Sequence, residues 1–366
     1  MQKLSDRIIP KQKNKMQQTL EENLTRIQKN KEAFAIWGAG ATGQGILSFI
    51  REFSQGRLEP EYVIDNNSSL WGTGNIISPK QFCECMKDIA NVFVCVYVAD
   101  QVVAQLKEYG YQGNIIPASM SVIGGGDRAL LYEENIEKVE KVYELFADEQ
   151  SRDTVAAFMN VGRSGDTSYW DKVNGQSEEK LLDTGVLSYG KKEHFIDVGA
   201  FTGDTIEKFI QLCGGNYASI LGIEADQRNF SVLQEKCDLF KNVNVLNAAV
   251  CECNGVKHFC DGKSESSYLC EGGTTEVKAV KIDDLKEAED VSMIKISTNG
   301  FEMEVLKGAV ETIKKKKPKL SYYCGREELW RIPLFLKSIV PEYKFYVRHY
   351  GIGMQALIGY AVIENK

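Results

Sequence analysis

The sequence predicts an α/β protein of two Rossmann-like domains, each a parallel sheet with helices between its strands. Three observations lead there. Short apolar runs alternate with helical periodicity twice along the chain, the pattern of βαβ units. Each series opens with a strand that runs into a glycine turn, Gly38 to Gly43 in the first and Gly199 to Gly203 in the second. The second series closes with two apolar runs, Tyr343 to Tyr350 and Gln355 to Ile363, joined by Gly351-Ile352-Gly353, which read as an antiparallel hairpin.

Residues 1–30 read as an N-terminal polar helix, 31–125 as the first Rossmann-like domain, 126–175 as a helical linker and 176–366 as the second domain. In the first domain the strands fall at Ala33 to Trp37, Glu61 to Asp65, Val92 to Val98 and Gly113 to Pro117, with helices from Gln44, Pro79 and Gln101. Leu130, Leu131, Ile136, Val139, Val142, Leu145 and Phe146 recur every three or four residues, so the linker is helical. The polar stretch Gly162 to Gly190 carries Tyr169 and Trp170, which read as packing residues or as anchors over a ligand mouth. The second domain continues with strands at Phe195 to Val198, Ile220 to Glu224, Val243 to Val250, Val256 to Cys260, Val277 to Ile282, Met293 to Ser297 and Lys319 to Cys324. Helices follow at Thr205 to Gln211, Asn229 to Leu239, Phe301 to Lys316 and Glu328 to Ile339.

At 366 residues the chain holds two domains that each bury a core. A net charge of -7 argues against a nucleic-acid partner, which needs a basic surface. Lys314 to Lys317 close a helix before Pro318, where cations complement the helix dipole. Gln2 to Lys31 lacks an apolar core of signal-peptide length and no other run approaches a membrane span, so a cytoplasmic protein with reduced thiols is expected. Cys251-x-Cys253 with Cys260 and Cys270 matches no zinc-ribbon spacing, and no metal is expected.

The richest stretch is Phe195-Ile196-Asp197-Val198-Gly199-Ala200-Phe201-Thr202-Gly203-Asp204. Gly199 and Gly203 let backbone pass close to a ligand, and the helix that follows points its N-terminus at the same place. Ile220 to Glu224 then ends a second strand in an acid placed for ribose hydroxyls. Strand, glycine turn, helix, strand, acid is the order of an adenosyl-cofactor site. Asp197 and Asp204 flank the turn and would repel a pyrophosphate, but they suit a ligand bearing an ammonium and a sulfonium. The acids therefore favour S-adenosylmethionine (SAM) over a dinucleotide.

In the first domain Gly38-x-Gly40-x-x-Gly43, with Asp65 at the end of the next strand, fits the nucleotide fingerprint. A parallel sheet also needs glycines at its first turn for packing, so both readings stand. The stretch 31–120 resembles the small Rossmann-like domains found beside bacterial sugar-modifying enzymes, on Gly38 to Gly43, Asp65 and Gly74-Asn75-Ile76-Ile77. That resemblance implies a nucleotide or nucleotide-sugar ligand.

Positions 176 to 363 resemble an FkbM-family SAM-dependent methyltransferase. The carrying segments are Phe195 to Asp204, Gly222 to Asp226, Val280 to Leu285, Ile294 to Glu302 with Leu306 to Ala309, and Arg348-His349-Tyr350. The resemblance implies a class I sheet of seven strands with an antiparallel terminal hairpin, and O-methylation of a sugar, glycan or similar acceptor. It places Asp197, Gly199 and Gly203 beside SAM's methionine part, Glu224 at the ribose and Asn247 with Ala248 at the adenine edge, and adds Ala200, Phe201, Asp204, Ala225 and Ser297 as further cofactor contacts. Ser266, Ser267 and Asn299 fall on the acceptor side. A small-molecule or glycan acceptor, a nucleotide-sugar at the first domain and a homo-oligomer are the partners it admits.

One segment departs from that pattern. Where the family reads Lys-x-Asp-x-Glu-Gly-Ala-Glu, this chain has Lys295-x-Ser297-x-Asn299-Gly300-Phe301-Glu302, and Tyr322-Tyr323-Cys324-Gly325-Arg326 stands where a histidine is common. Ser297 and Asn299 orient a hydroxyl but cannot take its proton near neutral pH. His349, Glu302 and Asp204 are the candidate bases, each with an alternative, as strand histidine, as helix-opening acid and as a binding residue facing SAM or the acceptor. Lys295 is a candidate contact to an acceptor's phosphate. A SAM-binding protein without turnover, acting as a regulatory or scaffold subunit, and an NAD oxidoreductase built on Gly38 to Asp65 are the competing readings.

Overall fold

The computed structural model describes residues 2–96, 99–124, 126–175, 180–260, 268–269, 275–298, 300–354 and 357–363. The chain forms two compact units. The first comprises Met1–Ile136, Arg152–Ser177 and His349–Ala356, and the second Glu137–Ser151, Glu178–Arg348 and Leu357–Lys366. These do not follow the contiguous boundaries read from sequence, because the helical linker divides between the units and 349–356 goes with the first.

The first unit is built on strands β1 (Phe34–Trp37), β2 (Tyr62–Ile64), β3 (Ile76–Ile77), β4 (Asn91–Val94) and β5 (Asn114–Pro117), in the order β3-β2-β1-β4-β5. Every pairing is parallel. Parallel strands are buried on both faces, and β1 shows how four residues serve two cores. Phe34 and Ile36 pack with Leu20, Leu24 and Ile27 of α1 (Lys15–Asn30) and Ile46 and Ile50 of α2 (Ala41–Ser54). Ala35 and Trp37 face the other way, onto Phe82 of α3 (Pro79–Cys85) and Val102 and Leu106 of α4 (Ala99–Glu108). Helices α5 (Met120–Ile123) and α6 (Gly126–Glu134) follow. After them α7 (Ile136–Leu145) and α8 (Glu149–Ser164) carry the chain between units.

The second unit holds β6 (His194–Val198), α9 (Asp204–Leu212), β7 (Ser219–Glu224), α10 (Gln227–Cys237) and β8 (Val243–Asn247). Next come β9 (Ala249–Val250), β10 (Gly255–Cys260), β11 (Tyr268–Leu269), β12 (Thr275–Val280), β13 (Met293–Ile296), α11 (Glu302–Lys307) and α12 (Val310–Lys316). Strand β14 (Lys319–Tyr323), α13 (Glu328–Ile339), β15 (Lys344–His349), whose last residue His349 falls to the first unit, and β16 (Leu357–Val362) complete it. Its main sheet runs β15-β16-β14-β13-β6-β7-β8. From β14 through β13, β6 and β7 to β8 the neighbours are parallel, and β16 is antiparallel to β14. The seven-stranded sheet with a reversed strand near one edge is the one the sequence predicts.

Three departures have local causes. The run Val243 to Val250 is two strands, since Ala248 N donates to the Glu224 carbonyl at 3.2 Å and the chain then leaves to pair with β12. Strands β9 to β12 thereby form a separate four-stranded sheet, ordered β11-β10-β12-β9. The expected helix Phe301 to Lys316 breaks at Gly308, where a Cβ would stand 2.1 Å from the Cys251 carbonyl oxygen. The last two strands are neighbours without a tight Gly-Ile-Gly hairpin, because Ile352 packs into the core of the first unit and Tyr350 lies against Gly175.

Candidate functional site

In an open parallel sheet, ligands bind outside the carboxyl ends of the strands where the strand order reverses. In the second unit that point lies between β6 and β13. Gly199 leaves β6 with φ +72°, and a Cβ there would stand 2.0 Å from the Ser297 carbonyl oxygen, so only glycine fits. Gly199 N and Ala200 N both donate to the Ile223 carbonyl, and Phe201 itself takes a left-handed conformation, φ +51°. Gly203, φ +87°, caps α9, whose first residue, Asp204, is exposed.

Glu224 braces this turn. Its Oε2 accepts the Phe201 amide at 2.8 Å and its Oε1 the Asp226 amide at 2.9 Å. Burial pushes its carboxyl up, against the pull of those two amides. Asn247 Nδ2 donates to the Glu224 carbonyl at 2.9 Å and to that of Ala225 at 3.2 Å, so the ends of β7 and β8 are clamped together beside Ala248. Asp197, Gly199, Ala200, Phe201, Gly203, Asp204, Glu224, Ala225, Asn247, Ala248 and Ser297 thus share one edge of one sheet.

Asp197 is fully buried, and Lys295 Nζ lies 2.7 Å from its Oδ1 while donating to the Gly199 carbonyl at 2.7 Å. Asp197 Oδ2 has no hydrogen-bond partner among the described residues. Burial raises the Asp197 carboxyl to about 6, with Lys295 opposing and Asp204 and Glu224 adding to the rise. Sequence reasoning missed the pair. An ammonium in the otherwise apolar run Met293–Ile296 was the available signal, because a buried charge requires a counter-charge. Thr298 was missed as well: its Oγ1 is buried without a described partner, and its methyl stands 3.7 Å from where a Gly199 Cβ would be.

The catalytic expectations are corrected. Lys295 is committed to Asp197 and Gly199, not open to an acceptor's phosphate. Glu302 is 1% exposed, and its Oε1 and Oε2 accept the amides of Thr298 and Gly300, each at 3.0 Å. Its role here is to hold the loop after β13. His349 belongs to the first unit, stacked on Trp170 with ring centroids 3.6 Å apart; its Nε2 lies 2.9 Å from the Gly353 carbonyl and its Nδ1 bonds Asn174 Oδ1. Burial pushes its ring down to about 3, so it is no base for this turn. Trp170 is a packing residue. Ser266, Ser267 and Asn299 lie outside the described residues.

The first unit carries a related turn. Asp65 Oδ2 accepts the Ala39 amide at 2.7 Å and Oδ1 that of Asn67 at 2.8 Å. Packing alone requires two of its glycines: a Cβ on Gly43 would stand 1.8 Å from the Gly38 carbonyl oxygen, and one on Gly38 2.6 Å from that of Cys95. Gly40 is different, with nothing within 4 Å. No group of three or more His, Cys, Asp or Glu among the described residues is arranged to hold a metal, and no described helix is long and apolar enough to cross a membrane.

The family described as methyltransferase FkbM domain matches residues 197–347. That segment is a methyltransferase FkbM domain. The fold agrees: the structure of the methyltransferase FkbM from Methylobacillus flagellatus KT superposes with a TM-score of 0.61 at 18% identity, over 95% of this chain and 99% of that one. More distant are the precorrin-6y C5,15-methyltransferase of Geobacter metallireducens GS-15 (TM-score 0.34, 13% identity, 51% of this chain and 87% of that one) and the Aeropyrum pernix fibrillarin in complex with natively bound SAM (0.34, 12%, 51% and 74%). No curated protein matches the chain. Asp197, which opens the matched segment, and Lys295, on its β13, are therefore both residues of the FkbM domain.

Proposed function

We propose that the FkbM domain binds SAM at the carboxyl edge of its sheet and serves methyl transfer to a hydroxyl oxygen of a sugar, glycan or nucleotide-sugar acceptor. The observation that carries the cofactor half is Asp197 Oδ2, a buried acceptor without a described donor. Such a group costs roughly 1–3 kcal/mol unless a donor reaches it. The chain's own charges select the donor's sign: Asp197, Asp204 and Glu224 outnumber Lys295 at the turn, which suits a cationic ligand and opposes a pyrophosphate.

When bound, SAM supplies an electrophilic methyl group on a positively charged sulfur. Glu224, already braced by two amides, keeps lone pairs for ribose hydroxyls. Thr298 Oγ1 is a further hydroxyl for the same ligand. Lys295 is paired with Asp197, Glu302 is buried against its own loop and His349 is buried in the first unit, so the chain's part is to orient the acceptor hydroxyl, whose proton would leave to solvent or to the exposed Asp204. In the first unit the open space at Gly40 supports a nucleotide or nucleotide-sugar ligand.

That Glu302 and His349 are both buried in other contacts also favours a second reading, a SAM-binding regulatory or scaffold protein without turnover. Calorimetry with SAM and S-adenosylhomocysteine tests the shared cofactor claim. Transfer of radiolabelled methyl from SAM into a nucleotide-sugar and glycan extract separates the two readings, since the second gives binding without labelled product.

A further inference from the structure

Strand β13 is apolar apart from Lys295, which is 2% exposed. Its register pairs Lys295 with Asp197 of β6 on one side and with Ser321 of β14 on the other. Residues in register on neighbouring parallel strands share a face, so folding of the sheet itself delivers the ammonium to the carboxylate. The same Nζ holds the carbonyl of Gly199, the first residue of the turn. One side chain therefore fixes both the acid below the ligand edge and the path of the backbone leaving it.

Each packed element sets a titratable group against Asp197: Glu224 from the end of β7, Asp204 from the start of α9, Cys237 from the end of α10 and Lys295 from β13. Lys295 is the cation of that set. Asp204 and Glu224 disfavour a further negative charge nearby, while the Cys237 thiol, pushed up to about 11 by burial, is neutral near pH 7.

We propose that Lys295 is a positioning residue for cofactor binding: it pins Asp197 Oδ1 and the Gly199 carbonyl, leaving Asp197 Oδ2 as a charged acceptor for a cationic ligand. The inference rests on the SAM reading above and adds to it the residue that keeps the site charged. With Lys295 present, Asp197 loses its proton near pH 6, so SAM binding is complete above that pH and falls as pH drops through it. Without the ammonium, Asp197 keeps its proton to higher pH, and binding at pH 7 weakens.

The test is calorimetry of the full chain with SAM between pH 5 and pH 9, for the wild type, Lys295→Met, Lys295→Arg and Asp197→Asn, beside carbon NMR titration of labelled aspartates without ligand. The wild-type affinity should fall about tenfold per pH unit below about 6. Lys295→Met should move that midpoint up by about one unit or more and shift the Asp197 carboxyl titration with it. Lys295→Arg should restore both, and Asp197→Asn should bind weakly with a flat profile. SAM binding by Lys295→Met with the wild-type profile overturns the proposal; if Lys295→Met does not fold, a Lys295→Arg profile no different from that of Asp197→Asn does so. Absence of SAM binding by the wild type, with the NMR shift still present, overturns the SAM reading and leaves the Lys295–Asp197 linkage standing.

Discussion

Glu224 accepts the amide of Phe201 at 2.8 Å, so the acid that ends β7 holds the turn that ends β6. Asp65 and Ala39 repeat the relation in the first unit at 2.7 Å. In both, a carboxylate at the end of the second strand satisfies an amide that a glycine turn leaves without a helical or sheet partner. Glu224→Gln places an N–H against one of the two donors, and Glu224→Ala removes both acceptors. We expect SAM affinity to fall about tenfold in the first and about a hundredfold in the second, read by calorimetry.

Glycine substitutions separate packing from ligand space. Gly199→Ala combines a left-handed conformation with a contact of 2.0 Å to the Ser297 carbonyl, so it should cost about 3 kcal/mol or more and lower the melting temperature by roughly 6–12 °C. Gly40→Ala meets nothing within 4 Å and should cost about 1 kcal/mol or less. If the first unit uses that space for a nucleotide-sugar, Gly40→Ala should abolish the thermal shift given by UDP-glucose while leaving SAM binding intact.

The buried pair has a stability signature of its own. Asp197→Leu or Lys295→Met alone leaves one buried charge without its partner and should cost about 3–5 kcal/mol. The double variant Asp197→Leu/Lys295→Met removes both charges and should return to within about 1 kcal/mol of the wild type, or exceed it. Denaturant unfolding of the four proteins gives the cycle, and SAM binding should be impaired in all three variants.

Opposite the site, Glu193 ties the amino edge of the sheet. Lys319 Nζ lies 2.6 Å from its Oε1, the Gly190 amide donates to that oxygen at 2.8 Å, and the Ser292 hydroxyl donates to Oε2. Burial pushes this carboxyl up, but Lys319, Ser292 and Gly190 together pull it below its ordinary 4.5. Its contribution is therefore present above pH 4.5 and lost as pH falls through the lower folded value. Glu193→Gln should cost about 2 kcal/mol at pH 7 and flatten the loss of stability on acidification, with SAM affinity unchanged.

The alternation of strands, the two glycine turns and the acids at Glu224 and Asp65 were legible in sequence, because buried parallel strands and left-handed glycines leave local marks. Contacts between distant segments left fainter ones. Lys295 looked open to an acceptor until the register put it against Asp197, and Glu302 looked like a base until the Thr298 and Gly300 amides took its oxygens. His349 has the right intrinsic titration range for catalysis, but its stacking on Trp170 appears only in the fold. The helix Phe301 to Lys316 read as continuous, since the Cys251 carbonyl packed against Gly308 comes from a distant strand end.

Calorimetric titration of the folded wild-type protein with SAM at pH 7.5 tests the central claim most directly. A single saturable site, weakened at least tenfold by Asp197→Asn, is the predicted result. No heat of binding with either SAM or S-adenosylhomocysteine, from protein whose circular dichroism shows it folded, would contradict it.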